Sequence, residues 1–161
     1  MIRGVLSSLI LLTLSAATTA TAEPILRIIN FTADWCPNCR VLDPRMAEAL
    51  EAFPDGEIEM VNLDMTNARA GQDEITIINT HNEAIRLADS VRAGYLWDWY
   101  GGRTGIATVI AADNGEPITC FMRVLSVKQI EDRLKLARIL ALRAPPGQRK
   151  PQGPDCPAPM N

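Results

Sequence analysis

Phe31-Thr32-Ala33-Asp34-Trp35-Cys36-Pro37-Asn38-Cys39-Arg40 is the stretch where an apolar strand runs out and a helix opens with two cysteines on its first turn. Residues three apart on a helix are neighbours on one face, so Cys36 and Cys39 can bridge without moving the backbone. Cys36 stands where unpaired N–H groups and the positive end of the helix dipole favour an anion. Its pKa is therefore expected to fall below the free-thiol value of about 8.5, which makes it the attacking thiolate. Cys39, one turn further in, is the resolving thiol that closes on Cys36 and expels the partner. Pro37 fits the first helical position, where its missing N–H has no partner to lose. Two other readings of the pair are half of a zinc site and an inert structural bridge. Zinc needs two more ligands, and Cys120, Cys156 and His81 form no second close pair.

Before this stretch, residues 1–22 read as a secretory signal: Arg3 is a positive tip, Val5 to Leu14 an apolar run, and Ala20-Thr21-Ala22 a small-residue cleavage site. The run is too short for a permanent anchor; an uncleaved anchor is the alternative. The remaining chain of about 139 residues suits one domain with a real core. The formal net charge of −3 and the lack of a basic stripe argue against nucleic acid as a partner. Four cysteines in an exported chain point to an oxidising compartment.

The apolar pattern predicts strands over residues 25–31, 58–63, 106–111 and 118–124, the last two as a hairpin around Asp113-Asn114-Gly115-Glu116. Helices are predicted over residues 37–53, with Pro44 inside, and over residues 82–93. A last helix is capped by Ser126 with Gln129 completing the capping box, and its stripe runs through Ile130, Leu134, Ala137 and Ala141. Residues 66–74 read as loop, and residues 75–79 are ambiguous. Residues 144–161, rich in proline and poor in apolar side chains, read as an extended, mobile tail.

Trp35-Cys36-Pro37-Asn38-Cys39 after the first strand, Pro44 five residues beyond Cys39, and the closing hairpin and helix resemble the thioredoxin superfamily. The resemblance implies an α/β fold with a central mixed four-stranded sheet flanked by helices, spanning residues 23–143, with a helical insert at about residues 65–104 before the third core strand. It implies a redox-active Cys36-Cys39 disulfide, with Trp35, Pro37, Asn38, Ile106, Ala107 and Thr108 bordering the substrate. With the signal segment it implies a periplasmic or otherwise secreted thiol:disulfide oxidoreductase of the class that holds cytochrome c maturation reductases. Its partners would be protein thiols and disulfides, with a membrane electron donor and no cofactor or metal, and it would act as a monomer.

Three departures from the family stand out. Ala107 occupies the place of the usual cis-proline; a cis bond before a non-proline residue costs about 2.5–4 kcal/mol, so a trans Ile106–Ala107 bond is expected. The small side chain there also leaves the thiolates more open to a metal. A buried Asp and its Lys neighbour are replaced by Asn30 and Met60, which removes both charges together and leaves no base for Cys39. The insert carries Tyr95, Trp97, Trp99 and Tyr100, which serve either as a partner surface or as core filling. A second class of function follows from the partner surface: an adaptor or chaperone with structural cysteines. Copper handling is a third reading, weakened by the lack of a histidine beside the two sulfurs.

Cys120 alternates with Ile118, Met122 and Val124 and reads as a buried, inert thiol. Cys156 lies in the tail, and three fates compete for it: pairing with Cys120, pairing with another molecule, or reaching the Cys36-Cys39 site. The alternation that buries Cys120 favours a free or intermolecular Cys156. His81 reads as a surface or capping residue at the start of the insert helix.

Overall fold

The structure, a computed structural model, describes residues 23–149 and 156–159. The segment read as a secretory signal lies outside them. Strand β1 (Leu26–Thr32) is central, and its near-continuous burial explains why its sequence is an apolar run rather than an alternation. It pairs in parallel with β2 (Ile58–Asp64), Leu26 opposite Ile58, and antiparallel with β3 (Ile106–Ala111), Phe31 opposite Ile106. Strand β4 (Pro117–Met122) pairs antiparallel with β3 and closes a sheet of order β2-β1-β3-β4.

Helix α1 (Cys39–Leu50) and helix α4 (Val127–Arg143) pack together on one face. There Leu42, Met46, Ile130 and Leu134 meet Leu26, Ile28, Val109 and Phe121. Helices α2 (Glu74–Ser90) and α3 (Tyr95–Tyr100) cover the other face, where Ala84, Ala88, Leu96 and Tyr100 meet Ile29, Phe31, Leu63 and Ile110. The capping box of α4 forms as predicted: Ser126 Oγ accepts from the Gln129 N–H and Gln129 Oε1 from the Ser126 N–H.

The insert is more helical than its sequence suggests. Helix α2 begins eight residues before the predicted start, because the Asp73 side chain caps it by accepting from the Thr76 N–H and hydroxyl. Its first turns carry exposed Ile75 and Ile78 among polar residues, so no apolar stripe announces them. His81 consequently lies inside this helix, its ring 5.1 Å from that of Trp97, rather than at the helix start. Helix α3 was not predicted; it is short and ends on Gly101 in the left-handed conformation.

The tail is tied back at two points. Arg149 is 5 % exposed, and its guanidinium grips both carboxylate oxygens of Asp113 at 2.5 and 2.7 Å. Glu116 accepts from the Gly147 and Arg149 N–H groups. Further on, Cys156 is bonded to Cys120, with Cα atoms 4.9 Å apart. The free or intermolecular Cys156 expected from the sequence is therefore corrected to an intramolecular disulfide. The alternation argument failed because a register shift between Val109 and Ile110 makes Ile118 an extra residue in β4. Ile118 then joins Phe121 in the core under α4, while Cys120 falls opposite Thr108 on the face that the tail covers.

Candidate redox site

The end of β1 delivers the chain into a tight turn in which the Cys36 N–H bonds to the Ala33 carbonyl and the Arg40 N–H to the Cys36 carbonyl. Cys36 and Cys39 form a disulfide with Cα atoms 5.3 Å apart. The Cys39 N–H, the first amide of α1, donates to Cys36 Sγ at 3.1 Å. A free backbone donor aimed at that sulfur is the local cause for expecting a stabilised thiolate there. Cys39 Sγ instead lies 3.9 Å from the Phe31 carbonyl oxygen, which offers an acceptor and no donor. The two sulfurs of one bridge therefore sit in opposite electrostatic surroundings.

Both cysteines are 2 % exposed. Pro37 and Asn38 between them are exposed, and Trp35 is half-buried. The Trp35 indole N–H donates to the Thr66 carbonyl, and the Asp34 N–H to Thr66 Oγ1. Asp64 in turn accepts from the Thr66 N–H and hydroxyl. This Asp64–Thr66 turn, which fixes the approach to Cys36, was not singled out in the sequence; the Asp-x-Thr spacing after a strand was its signal.

On the other side of the pair, Ile106 lies at the start of β3, and its bond to Ala107 is trans, since no described peptide bond is cis. Ala107 and Thr108 are fully buried, Ala107 between Asn30 and Phe121 in the sheet and Thr108 with its hydroxyl 3.5 Å from Cys120 Sγ. Ile106 thus sits beside the pair with Trp35, Pro37 and Asn38, while Ala107 and Thr108 belong to the sheet interior. Gly105 is the residue missed here. Its φ of +83° and its close approach to the motif, where a Cβ would come within 2.7 Å of Asn38 Cβ, both require glycine.

Beneath the pair, Asn30 is 1 % exposed, and its Nδ2 donates to Asp43 Oδ1 at 3.2 Å and Asn62 Oδ1 at 3.1 Å. Its Oδ1 has no partner among the described residues. Asp43 also accepts from the Thr32 hydroxyl at 2.6 Å. The carboxylate on this side of the sheet therefore comes from α1, not from β1.

A family model described as Thioredoxin matches residues 16–80, less than half of the chain but including β1, α1 and β2. The fold is the thioredoxin fold. A solved structure described as "Crystal Structure of StoA from Bacillus subtilis" aligns with a TM-score of 0.44 at 18 % identity, over 70 % of this chain and 84 % of that one. No curated protein matches the chain.

Against that fold, the aromatic insert fills space. Tyr100 is buried, Tyr95, Trp97 and Trp99 pack on the core around Phe31, and the Tyr95 hydroxyl donates to the Gly115 carbonyl. Burial pushes the Tyr95 phenol well above its usual pKa, so it stays a neutral donor. The Tyr100 hydroxyl reaches the Pro157 carbonyl at 3.3 Å, so the insert also holds the tail. Between residues 103–106, residues 122–124 and the tethered Cys156 and Pro157 runs a groove of about 440 Å³, bordered by Asn38 of the redox motif. Among the described residues, no helix is long and apolar enough to cross a membrane.

Proposed function

We propose that the protein is an exported thiol:disulfide oxidoreductase that exchanges electrons with protein partners through Cys36 and Cys39, acting mainly as a reductase. The observation that carries this reading is the first amide of α1 held on Cys36 Sγ while Cys39 Sγ faces only a carbonyl. In the reduced form, the Cys36 thiolate attacks a partner disulfide. That bond breaks, a mixed disulfide forms, and the departing partner sulfur takes up a proton. Cys39 then loses its proton and attacks Cys36, releasing the second partner thiol and closing the Cys36–Cys39 bridge. Two electrons have passed to the partner, and a dithiol donor, membrane-bound in this reading, restores the pair. No cofactor takes part. Export rests on the signal-like residues 1–22.

The near-complete burial of both cysteines in the oxidised state means that a partner must displace part of the covering turn to reach Cys36. Asn30 cannot accept the Cys39 proton as a carboxylate would, so resolution is slower than in a protein with an acid at that place. The adaptor reading draws less support from the aromatic insert, in which Tyr100 is buried and Tyr95, Trp97 and Trp99 pack partly on the core.

Insulin reduction by dithiothreitol tests the activity. Acceleration by the wild type and its loss in Cys36→Ser support the reading; no acceleration by the wild type refutes it. Capture of a disulfide-linked partner by Cys39→Ser identifies the substrate.

A further inference from the structure

The groove beside Asn38 differs in charge from the molecule around it. The chain carries a net charge of −3, yet the charged residues lining the groove are Arg103 and Arg123. Both are exposed, and neither guanidinium has a hydrogen-bond or ion-pair partner among the described residues. Most other arginines of the fold are engaged: Arg27 with Glu59, Arg45 with the carbonyls of Arg123 and Leu125, Arg138 with Glu57, Arg149 with Asp113. Two uncommitted cations on one groove, with no acidic side chain among the described residues that line it, make a local positive field in an acidic protein.

The apolar surface between them comes from Ile106, Met122, Val124 and Pro157, and Val124 is 73 % exposed. An apolar strip flanked by guanidinium groups suits an extended polypeptide with carboxylates on either side of a short uncharged stretch. Asn38, which stands between the two bridged cysteines in the motif, lines the groove, so a chain seated in it runs beside the turn that carries the redox pair. The far wall is the tail itself, held by the Cys120–Cys156 bond and by Tyr100.

Resting on the oxidoreductase reading, we propose that this groove selects partner segments in which the exchanging cysteine is flanked by acidic residues. The guanidinium groups steer and seat the segment, and the sulfur exchange is the one described above.

The test uses the reduced wild-type protein and two synthetic peptides of equal length, each with one cysteine in mixed disulfide with 2-mercaptoethanol. One has glutamates flanking the cysteine, the other lysines. The expected result is reduction of the glutamate peptide about fivefold faster at low salt, with the ratio falling towards one near about 1 M salt. In Arg103→Ala with Arg123→Ala the ratio itself falls towards one. Equal rates in the wild type, a preference for lysine, or a ratio unchanged in the double variant overturns the proposal.

Hydroxyethyl disulfide, which is small and uncharged, separates the two levels of inference. If the wild type reduces neither it nor the peptides, the oxidoreductase reading fails. The groove is then judged by fluorescence anisotropy of the glutamate peptide with serine in place of cysteine. Salt-sensitive binding that the double variant loses supports the groove, and absence of binding overturns it.

Discussion

The molecule contains two disulfides built on opposite principles. Cys36–Cys39 spans three residues at a helix start, and Cys120–Cys156 spans 36 from an edge strand to the tail. Loop closure explains the first contrast. In the chain-entropy account a bond closing so short a loop contributes about 2 kcal/mol, and one closing the longer loop about 4 kcal/mol. Surroundings supply the second contrast. An amide N–H points at Cys36 Sγ, whereas Cys120 Sγ has only the hydroxyls of Thr108 and Tyr100 at 3.5 and 3.9 Å. The short bridge is placed for exchange and the long one for holding, although both share one fold and one compartment.

The sharpest way to break this division is to remove one sulfur from each bridge. Cys36→Ser is expected to reduce disulfide exchange to the uncatalysed background, measured with insulin, while lowering stability by at most about 2 kcal/mol, less than loss of the longer bridge. Cys156→Ser is expected to spare exchange and to cost more stability. It leaves a working Cys36–Cys39 pair but lowers stability by about 2–4 kcal/mol, or roughly 10 °C in melting temperature. If Cys156→Ser melts with the wild type, the tail bond is not a structural tie.

How much of each bridge could be read in the sequence follows from how local it is. Cys36 and Cys39 announce themselves by spacing, and β1, α1 and the Ser126–Gln129 cap of α4 are likewise written in consecutive residues. The Cys120–Cys156 bond was hidden because the extra residue at Ile118 reversed which side Cys120 faces, and alternation carries no mark of a bulge. The first turns of α2 were hidden because the Asp73 side chain, not an apolar stripe, starts the helix: Ile75 is 71 % exposed and its neighbours are largely polar. The place of Gly105 against Asn38 joins residues distant in sequence, so only the folded chain reveals why a glycine stands there.

Gly105 sharpens the contrast from the redox side, since the atoms nearest a Cβ placed there all belong to Asn38 of the short bridge's motif. Gly105→Ala must adopt a φ of +83° and push its Cβ against Asn38. The expected cost is about 1–3 kcal/mol, with slower exchange at Cys36 because the turn carrying Asn38 has to shift. Thermal melting and the rate of hydroxyethyl disulfide reduction read the two effects. A variant that exchanges at the wild-type rate shows that the close approach does not position the pair.

The smallest effect concerns the ion pair that supports the long bridge. The Arg149 guanidinium, by hydrogen bonding first and by charge second, holds the Asp113 carboxyl below the usual range. A lowered carboxylate pKa means that the contribution is complete above the unfolded value of about 3.9 and is lost as pH falls through the lower, folded value. Arg149 keeps its charge throughout, with Glu116 at 3.9 Å as its remaining acidic neighbour and Arg92 bonded to the Asp113 carbonyl. Protonating Asp113 therefore loosens the tail without removing every contact. Reduction of Cys120–Cys156 by a phosphine should quicken a few-fold between about pH 5 and pH 2.5, relative to Cys36–Cys39 in the same sample. Asp113→Asn should remove the Asp113 share of that step, because an asparagine at this place has no charge to lose over this pH range. If both bridges respond alike in the wild type, the carboxylate does not hold the tail, and the disulfide with the Tyr100 contact bears that role.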